Sequence, residues 1–230
     1  MTLPISRISG SFVYPVASGG RLASTVDEMI AAIQELERKK QEWAEKTIEQ
    51  RLGFLETMIR DFSSLAPEWV EQVSAAQHIA GDDHATGTEW MQGPYSVLRN
   101  LQNLKQSLRE IRSTNSPRIP GAITLRRNGQ VSAQVFPQTI YDRILFNGYR
   151  ADVWMEPGVT LDNLSKTQAL AYQTPNPAGK VSLVLGAGNL SGIPVTDALD
   201  RLFVQNHVVI LKMNPVMDYL GPVFERASTA

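Results

Sequence analysis

Three glycines, an asparagine and a lysine near the end of the chain have types and spacing that suit nucleotide chemistry. Gly186, Gly188 and Gly192 have the pattern G-x-G-x-x-x-G, directly after a short apolar run and before a helix-like stretch. Glycines at such a turn let backbone amides approach a pyrophosphate, and the N-terminus of a helix favours its negative charge. The same pattern also occurs in tight strand-to-helix turns that bind no ligand. The pattern alone therefore leaves both interpretations open.

The last residue of the next apolar run, "HVVILK", distinguishes between kinds of nucleotide-binding site. The second strand of an ordinary dinucleotide-binding unit ends in an acidic residue that binds the ribose hydroxyls. Here the run ends in Lys212, whose ammonium can donate to ribose hydroxyls or pair with a 2′-phosphate. This residue weakens the hypothesis of an independent Rossmann-type reductase.

The two stretches "VLGAGNLSGIP" and "VVILKMNP", with the helix between them, resemble the first half of the cofactor-binding domain of the aldehyde dehydrogenase superfamily. In that family the first strand runs into a turn with an asparagine, commonly Pro-Trp-Asn-Phe-Pro, and the next strand ends in Lys-Pro-Ser/Ala-Glu. Asn189 falls on the family's asparagine, and Lys212 falls on its cofactor-ribose lysine. The chain departs from the family where 186–188 replaces the bulky Pro-Trp portion and where Pro215 replaces the glutamate.

The resemblance implies an oxidoreductase that oxidises an aldehyde to an acid through a cysteine thiohemiacetal, with NAD or NADP as cofactor. Asn189 would donate to the oxyanion, and Leu185, Gly186, Lys212 and Asn214 would line the cofactor channel. The same chemistry would serve the reduction of an activated acyl group. The chain contains no cysteine, so the resemblance places the cysteine nucleophile and the glutamate base beyond residue 230. The 230 residues alone are then expected to be inactive.

The N-terminal half is predicted to be a helical block over residues 1–115. Apolar residues at helical spacing predict helices over 25–62 and 95–111, with Thr25 and Glu28 as a capping box. A further helix is predicted over 67–80 with Pro67 in its first turn, followed by a glycine-rich break, "GDDHATGTEW".

The second half is predicted to hold two β-hairpins over 120–158 and the first part of a truncated NAD(P)-binding domain over 159–230. The hairpins would turn at Asn128-Gly129 and at Asn147-Gly148, the latter between "DRILF" and "YRADVWM". Residues 181–185 and "HVVILK" predict strands buried on both faces, with helices from Pro194 and from about Asp218. The predicted fold class is α/β, with an incomplete Rossmann-like parallel βαβ unit. Because two parallel strands leave sheet edges open, we expect a longer parent protein.

Composition restricts the class of partner. A net charge of −1 over 230 residues provides no field for nucleic acid or an anionic membrane. No apolar run is long enough to span a bilayer, and the first twenty residues lack a signal-peptide core. His78, Asp82, Asp83 and His84 lack the spacing of a zinc site, so no metal is predicted. We expect a cytoplasmic homo-oligomer that acts on a small-molecule aldehyde.

A second class of function is open from the sequence. The alternative is a non-catalytic short form that binds a nucleotide or acts as an oligomerisation module. In that case the hairpins would offer strand edges to another subunit. Cofactor binding alone does not separate the two classes, whereas a cysteine-dependent acyl intermediate does.

Overall fold

The computed structural model describes residues 23–79 and 84–229 of the chain. Helices α1 (Val26–Ala44) and α2 (Ile48–Ala76) each begin at a threonine N-cap. The side chain of Thr25 accepts from the backbone N–H of Glu28, and the Glu28 carboxylate accepts from the backbone N–H of Thr25. The predicted capping box is therefore confirmed. None of the helices described is long and apolar enough to cross a membrane.

The predicted helix start at Pro67 is wrong, because Pro67 lies inside α2. A proline within a helix removes one backbone hydrogen bond and costs about 3 kcal/mol. The helix continues because its apolar stripe is buried on both sides of the proline, which stabilises α2 by more than that cost. The buried stripe consists of Leu52, Leu55, Met58, Phe62, Trp69, Val70 and Val73.

The predicted glycine-rich break is wrong for residues 84–90. They form helix α3 (His84–Trp90), followed by a π-helical turn (Met91–Tyr95) and helix α4 (Ser96–Thr114). Gly87 has open space around its Cα, so it weakens α3 only through the backbone entropy of glycine, about 1 kcal/mol. Packing of Glu89 into the interior holds α3 in place. Helix α4 ends at Asn115, which has the left-handed conformation common at helix ends.

The first predicted hairpin is confirmed. Strands β1 (Ile123–Leu125) and β2 (Val131–Phe136) pair antiparallel across the Asn128-Gly129 turn. Gly129 has a φ of +81°, a backbone conformation that glycine adopts without a steric penalty.

The second predicted hairpin is wrong. Residues 142–146 do not form a strand; helix α5 (Ile140–Leu145) contains most of them, and strand β3 (Ala151–Trp154) pairs antiparallel with β2 instead. Thr139 and Asp142 form a capping box that starts a helix here, which is the local reason for the difference. The Asn147-Gly148 turn is still present, with Gly148 at a φ of +83°, but it joins a helix to a strand.

Asp142 joins α5 to the helical block. Its buried carboxylate accepts from the backbone N–H groups of Gln138 and Thr139 and pairs with Arg99 of α4 at 2.9 Å. Burial alone would raise the pKa of Asp142, but these hydrogen bonds and the Arg99 charge outweigh it and lower the pKa.

Apart from an unpredicted short helix, the remaining elements follow in the predicted order. The short helix α6 (Leu170–Gln173) leads to strand β4 (Val181–Leu185), helix α7 (Ile193–Leu199) and strand β5 (Val208–Lys212). Helix α8 (Gly221–Ala227) follows a 3₁₀ turn that begins at Asp218. Strands β4 and β5 pair in parallel. The chain is therefore a mixed α/β protein with one small antiparallel sheet and one parallel pair.

The expectation that β4 is buried on both faces is wrong. Leu183 and Leu185 point to one face of the strand and are 63% and 68% exposed, whereas Val184 on the other face is buried. In the described part of the chain the parallel sheet has only two strands, so its area is too small for layers on both faces.

One hydrophobic core joins the helical block to the parallel unit. Trp69 of α2 is fully buried and stacks edge-on against Phe224 of α8, with ring centroids 4.8 Å apart. Val97 and Leu101 of α4 and Leu199 of α7 belong to the same cluster. The helical block thus provides the surface on which the βαβ unit packs. The domain boundaries predicted after residues 115 and 158 stay a prediction.

Candidate functional site

The carboxyl ends of β4 and β5 form one edge of the parallel pair. Leu185 lies opposite Lys212 in the register, and the backbone N–H of Gly186 donates to the carbonyl oxygen of Lys212 at 2.8 Å. The structure therefore brings these three predicted cofactor residues together. The side chains of Leu185 and Lys212 are both exposed.

Asn214, the fourth predicted cofactor residue, lies against the glycine turn after β4. A Cβ added to Gly188 would lie only 2.7 Å from Cγ of Asn214. The Oδ1 atom of Asn214 accepts from the backbone N–H of Val216 at 3.1 Å, which closes the turn after β5. The turns that follow the two strands are thus in direct contact.

The glycines of the motif each approach another part of the protein. A Cβ at Gly186 would lie 3.2 Å from the carbonyl oxygen of Lys212 and 3.3 Å from Pro194. A Cβ at Gly192 would lie 2.6 Å from the carbonyl oxygen of Gln92, in the π-helical turn. Together with the contact at Gly188, these approaches account for all three glycines without a ligand.

Asn189 is placed differently from its neighbours in the turn. Its side chain is exposed at the carboxyl edge of the parallel pair. Within the described residues, no hydrogen-bond partner of its side-chain amide is found. A carboxamide N–H in this state is available to an oxygen atom of a ligand.

A buried polar cluster that sequence reasoning missed lies behind this turn. The Ser191 hydroxyl is fully buried; it donates to the Glu89 carboxylate and accepts from the indole N–H of Trp69 at 3.0 Å. Burial raises the pKa of Glu89, and the hydrogen bonds from Ser191 and Trp69 offset part of this effect. No sequence pattern links three residues this far apart.

The charges near the edge are few. Lys212 forms no ion pair with any residue that the structure describes. His207 lies at the other end of β5, with Nδ1 2.7 Å from the Ser182 hydroxyl. Burial and the charges of Lys180 and Arg201 lower the pKa of His207. It therefore lies outside the candidate site.

Across residues 23–79 and 84–229, no three His, Asp or Glu side chains are grouped so that they would hold a metal ion. Two members of the cluster considered from the sequence, Asp82 and Asp83, lie outside the described residues.

Comparison of the chain with protein-family models, with curated proteins and with solved structures finds no match. The candidate site is therefore interpreted from its own geometry and chemistry.

Proposed function

We propose that the chain provides the cofactor edge and the oxyanion donor of an NAD(P)-dependent oxidoreductase of the aldehyde dehydrogenase type. The observation that carries the proposal is the exposed, unpaired amide of Asn189 at the same sheet edge as the exposed ammonium of Lys212. One group suits a developing oxyanion and the other suits a ribose or phosphate.

The residues at this edge fit the adenosine side of a dinucleotide. The Lys212 ammonium would bind ribose hydroxyls or a 2′-phosphate, so both NAD and NADP are accommodated. The exposed Leu185 side chain and the Gly186 backbone would line the channel beside it, and the Nδ2 donor of Asn214 would face it. The cofactor supplies the hydride acceptor for the oxidation.

Asn189 would act on the aldehyde carbonyl. As a thiolate attacks the carbonyl carbon, the C=O electron pair moves to oxygen, and the Asn189 amide donates a hydrogen bond to that oxygen. Such a donor contributes about 3 kcal/mol to the transition state. Because the chain has no cysteine, the attacking thiolate in this proposal does not come from these 230 residues.

The role of Asn189 in this proposal is tested with Asn189→Ala in an assay that contains the source of the thiolate. We expect kcat to fall about a hundredfold while cofactor affinity changes little, because the amide acts on the transition state. Unchanged turnover would remove Asn189 from the mechanism.

Nucleotide binding is tested on the chain itself by calorimetric titration with NAD⁺ and NADP⁺. Lys212→Met is expected to weaken binding about tenfold, by the loss of one charged hydrogen bond. Lys180→Met is the matched control, because Lys180 is also exposed but precedes β4 at the opposite end of the parallel pair. Absence of binding by the unmodified chain, or equal losses in the two variants, would refute the cofactor edge.

An oligomerisation role is a second candidate, favoured by the inverted polarity of α5. Its four large apolar side chains, Ile140, Tyr141, Ile144 and Leu145, are 64–71% exposed, while its acidic Asp142 is buried. An exposed apolar patch of this kind marks an interaction surface.

Sedimentation of the unmodified chain and of the double variant Ile140→Ser/Ile144→Ser tests this second role. We expect the chain to associate at micromolar concentration and the variant to be monomeric. Ile123→Ser, which changes an exposed apolar residue on β1, serves as control. A monomeric unmodified chain at all concentrations would exclude self-association through α5.

A further inference from the structure

The turn that carries Asn189 is fixed on both sides of this residue. On one side, the backbone of Gly188 lies against the Asn214 side chain, with a distance of 2.7 Å from an added Cβ to Cγ. On the other side, the Ser191 hydroxyl is hydrogen-bonded to Glu89 and Trp69 in the interior. The only exposed residue between these two fixed points is Asn189.

The attachment at Ser191 is directional and buried. The indole N–H of Trp69 donates to the Ser191 hydroxyl, and that hydroxyl donates to the Glu89 carboxylate. Ser191 and Trp69 are fully buried and Glu89 is nearly so. Because these groups are buried, loss of one partner leaves a polar atom without its hydrogen bond.

Close backbone contact reinforces the attachment. A Cβ at Gly93, in the π-helical turn, would lie 2.6 Å from Oε1 of Glu89 and 2.8 Å from the Ser191 hydroxyl. A Cβ at Gly192 would lie 2.6 Å from the carbonyl oxygen of Gln92. The turn therefore has no room to shift toward the helical block.

We propose that Glu89 and Ser191 are positioning residues that hold the Asn189 turn in a single conformation, an inference that rests on the proposed role of Asn189. An oxyanion donor is effective when it is held in place before the reaction, because no reorganisation is then needed as charge develops. Glu89 acts from α3, 100 residues before Asn189, through the Ser191 hydroxyl.

The test measures backbone and side-chain ¹⁵N relaxation in the free chain, with no ligand added. In the unmodified protein, the backbone order parameters of residues 188–192 are expected to be about 0.85, the value for a rigid backbone. Ser191→Ala and Glu89→Leu are expected to lower them below about 0.6 at residues 188–190. Glu89→Gln, which keeps an acceptor for the hydroxyl, is expected to preserve the rigid turn.

Ser132→Ala is the matched control, because Ser132 is a buried serine in the antiparallel sheet. Unchanged order parameters at residues 188–190 in all variants would overturn the proposal. A decrease in Ser132→Ala or in Glu89→Gln as large as that in Ser191→Ala would overturn it as well. If Glu89→Leu does not fold, Ser191→Ala, which removes one oxygen atom, still decides the result. The measurement is independent of nucleotide binding, so failure of the titration refutes the cofactor edge without changing this outcome.

Discussion

Arg51 of α2 joins the helical block to the parallel unit through hydrogen bonds, and its substitution should lower the free energy of unfolding. Its guanidinium is buried and donates to the carbonyl oxygen of Trp43 at 2.6 Å and to Oδ1 of Asn206 at 2.5 Å. A further bond reaches the carbonyl oxygen of Lys46 at 3.1 Å. Asn206 lies two residues before β5, so these bonds fix the start of the strand that ends in Lys212.

The expected loss follows from the acceptors left behind. In Arg51→Met, the buried Oδ1 of Asn206 and the part-buried carbonyl oxygens of Trp43 and Lys46 lose a charged donor, and an unsatisfied buried acceptor costs about 1–3 kcal/mol. Burial of the guanidinium lowers the pKa of Arg51, which shows that its charge is held at a cost, and removal of the charge returns part of the loss. We therefore expect a net loss of about 3 kcal/mol, which lowers the Tm by about 6–12 °C at this chain length.

Urea unfolding followed by tryptophan fluorescence measures the loss, within a double-mutant cycle. Asn206→Gly removes the acceptor and tolerates the left-handed backbone, since Asn206 has a φ of 61°. Coupling between Arg51→Met and Asn206→Gly should be about 1 kcal/mol or more. A single-variant loss below about 0.5 kcal/mol, or additive effects of the two changes, would refute the assignment.

Three further predictions concern pH and charge. Burial raises the pKa of Glu89 above its usual 4.5, so wild-type stability falls as pH rises from about 4.5 through the folded-state pKa. Glu89→Gln should therefore gain stability relative to wild type over that rise, and a constant difference in urea unfolding would contradict this. The lowered pKa of His207 stabilises the fold above about pH 6.5, and this contribution is lost as pH falls through the folded-state pKa; His207→Gln should flatten that part of the stability curve, measured by urea unfolding. Asp142→Asn should cost about 1–3 kcal/mol at neutral pH by weakening the Arg99 ion pair, and the difference should vanish as pH falls through the lowered pKa of Asp142 in the same assay.

Signals that act within a few residues of sequence predicted the structure correctly. The capping box at Thr25 depends on one side chain and the backbone three residues away, and it starts α1 as expected. The Asn128-Gly129 turn depends on the left-handed backbone of Gly129, and it forms the predicted hairpin. The parallel pairing of β4 with β5 follows from the strand–helix–strand order alone.

Tertiary packing decided the elements that were predicted wrongly. Pro67 is a local signal for a helix start, but the buried apolar residues before and after it hold α2 together as one helix. The Asn147-Gly148 dipeptide predicted a second hairpin, but the local Thr139–Asp142 capping box starts a helix before it, and the buried Asp142–Arg99 ion pair holds that helix against α4. The burial of the α2 stripe and the Asp142–Arg99 ion pair both depend on neighbouring elements, so the sequence of each segment alone does not reveal them.

The candidate site shows the same division. The resemblance to the aldehyde dehydrogenase superfamily predicted Asn189 and Lys212 as site residues, and their roles stay a prediction; Lys212 ends β5 opposite Leu185, and Asn189 lies in the turn that follows β4. No sequence pattern indicated Glu89, because a single glutamate in a helix is ordinarily a solvated side chain. Glu89 is buried against Ser191 because α3 packs beside α2. Glu89 and Ser191 are 102 residues apart in the sequence, so no local pattern links them.

Asn189 differs from the asparagines of two other turns in how its side chain is used. Asparagine in a structural turn commonly uses its side chain to hold its own backbone. Asn128 does so by accepting from the N–H of Gln130 at 3.1 Å, and Asn214 does so with Val216 at the same distance. In the part of the chain described, the Asn189 side chain has no such role, because Ser191 holds the turn in its place. The exposed Asn189 carboxamide is therefore not explained by the local structure of its turn, and a carboxamide in this state is what the proposed oxyanion donor requires.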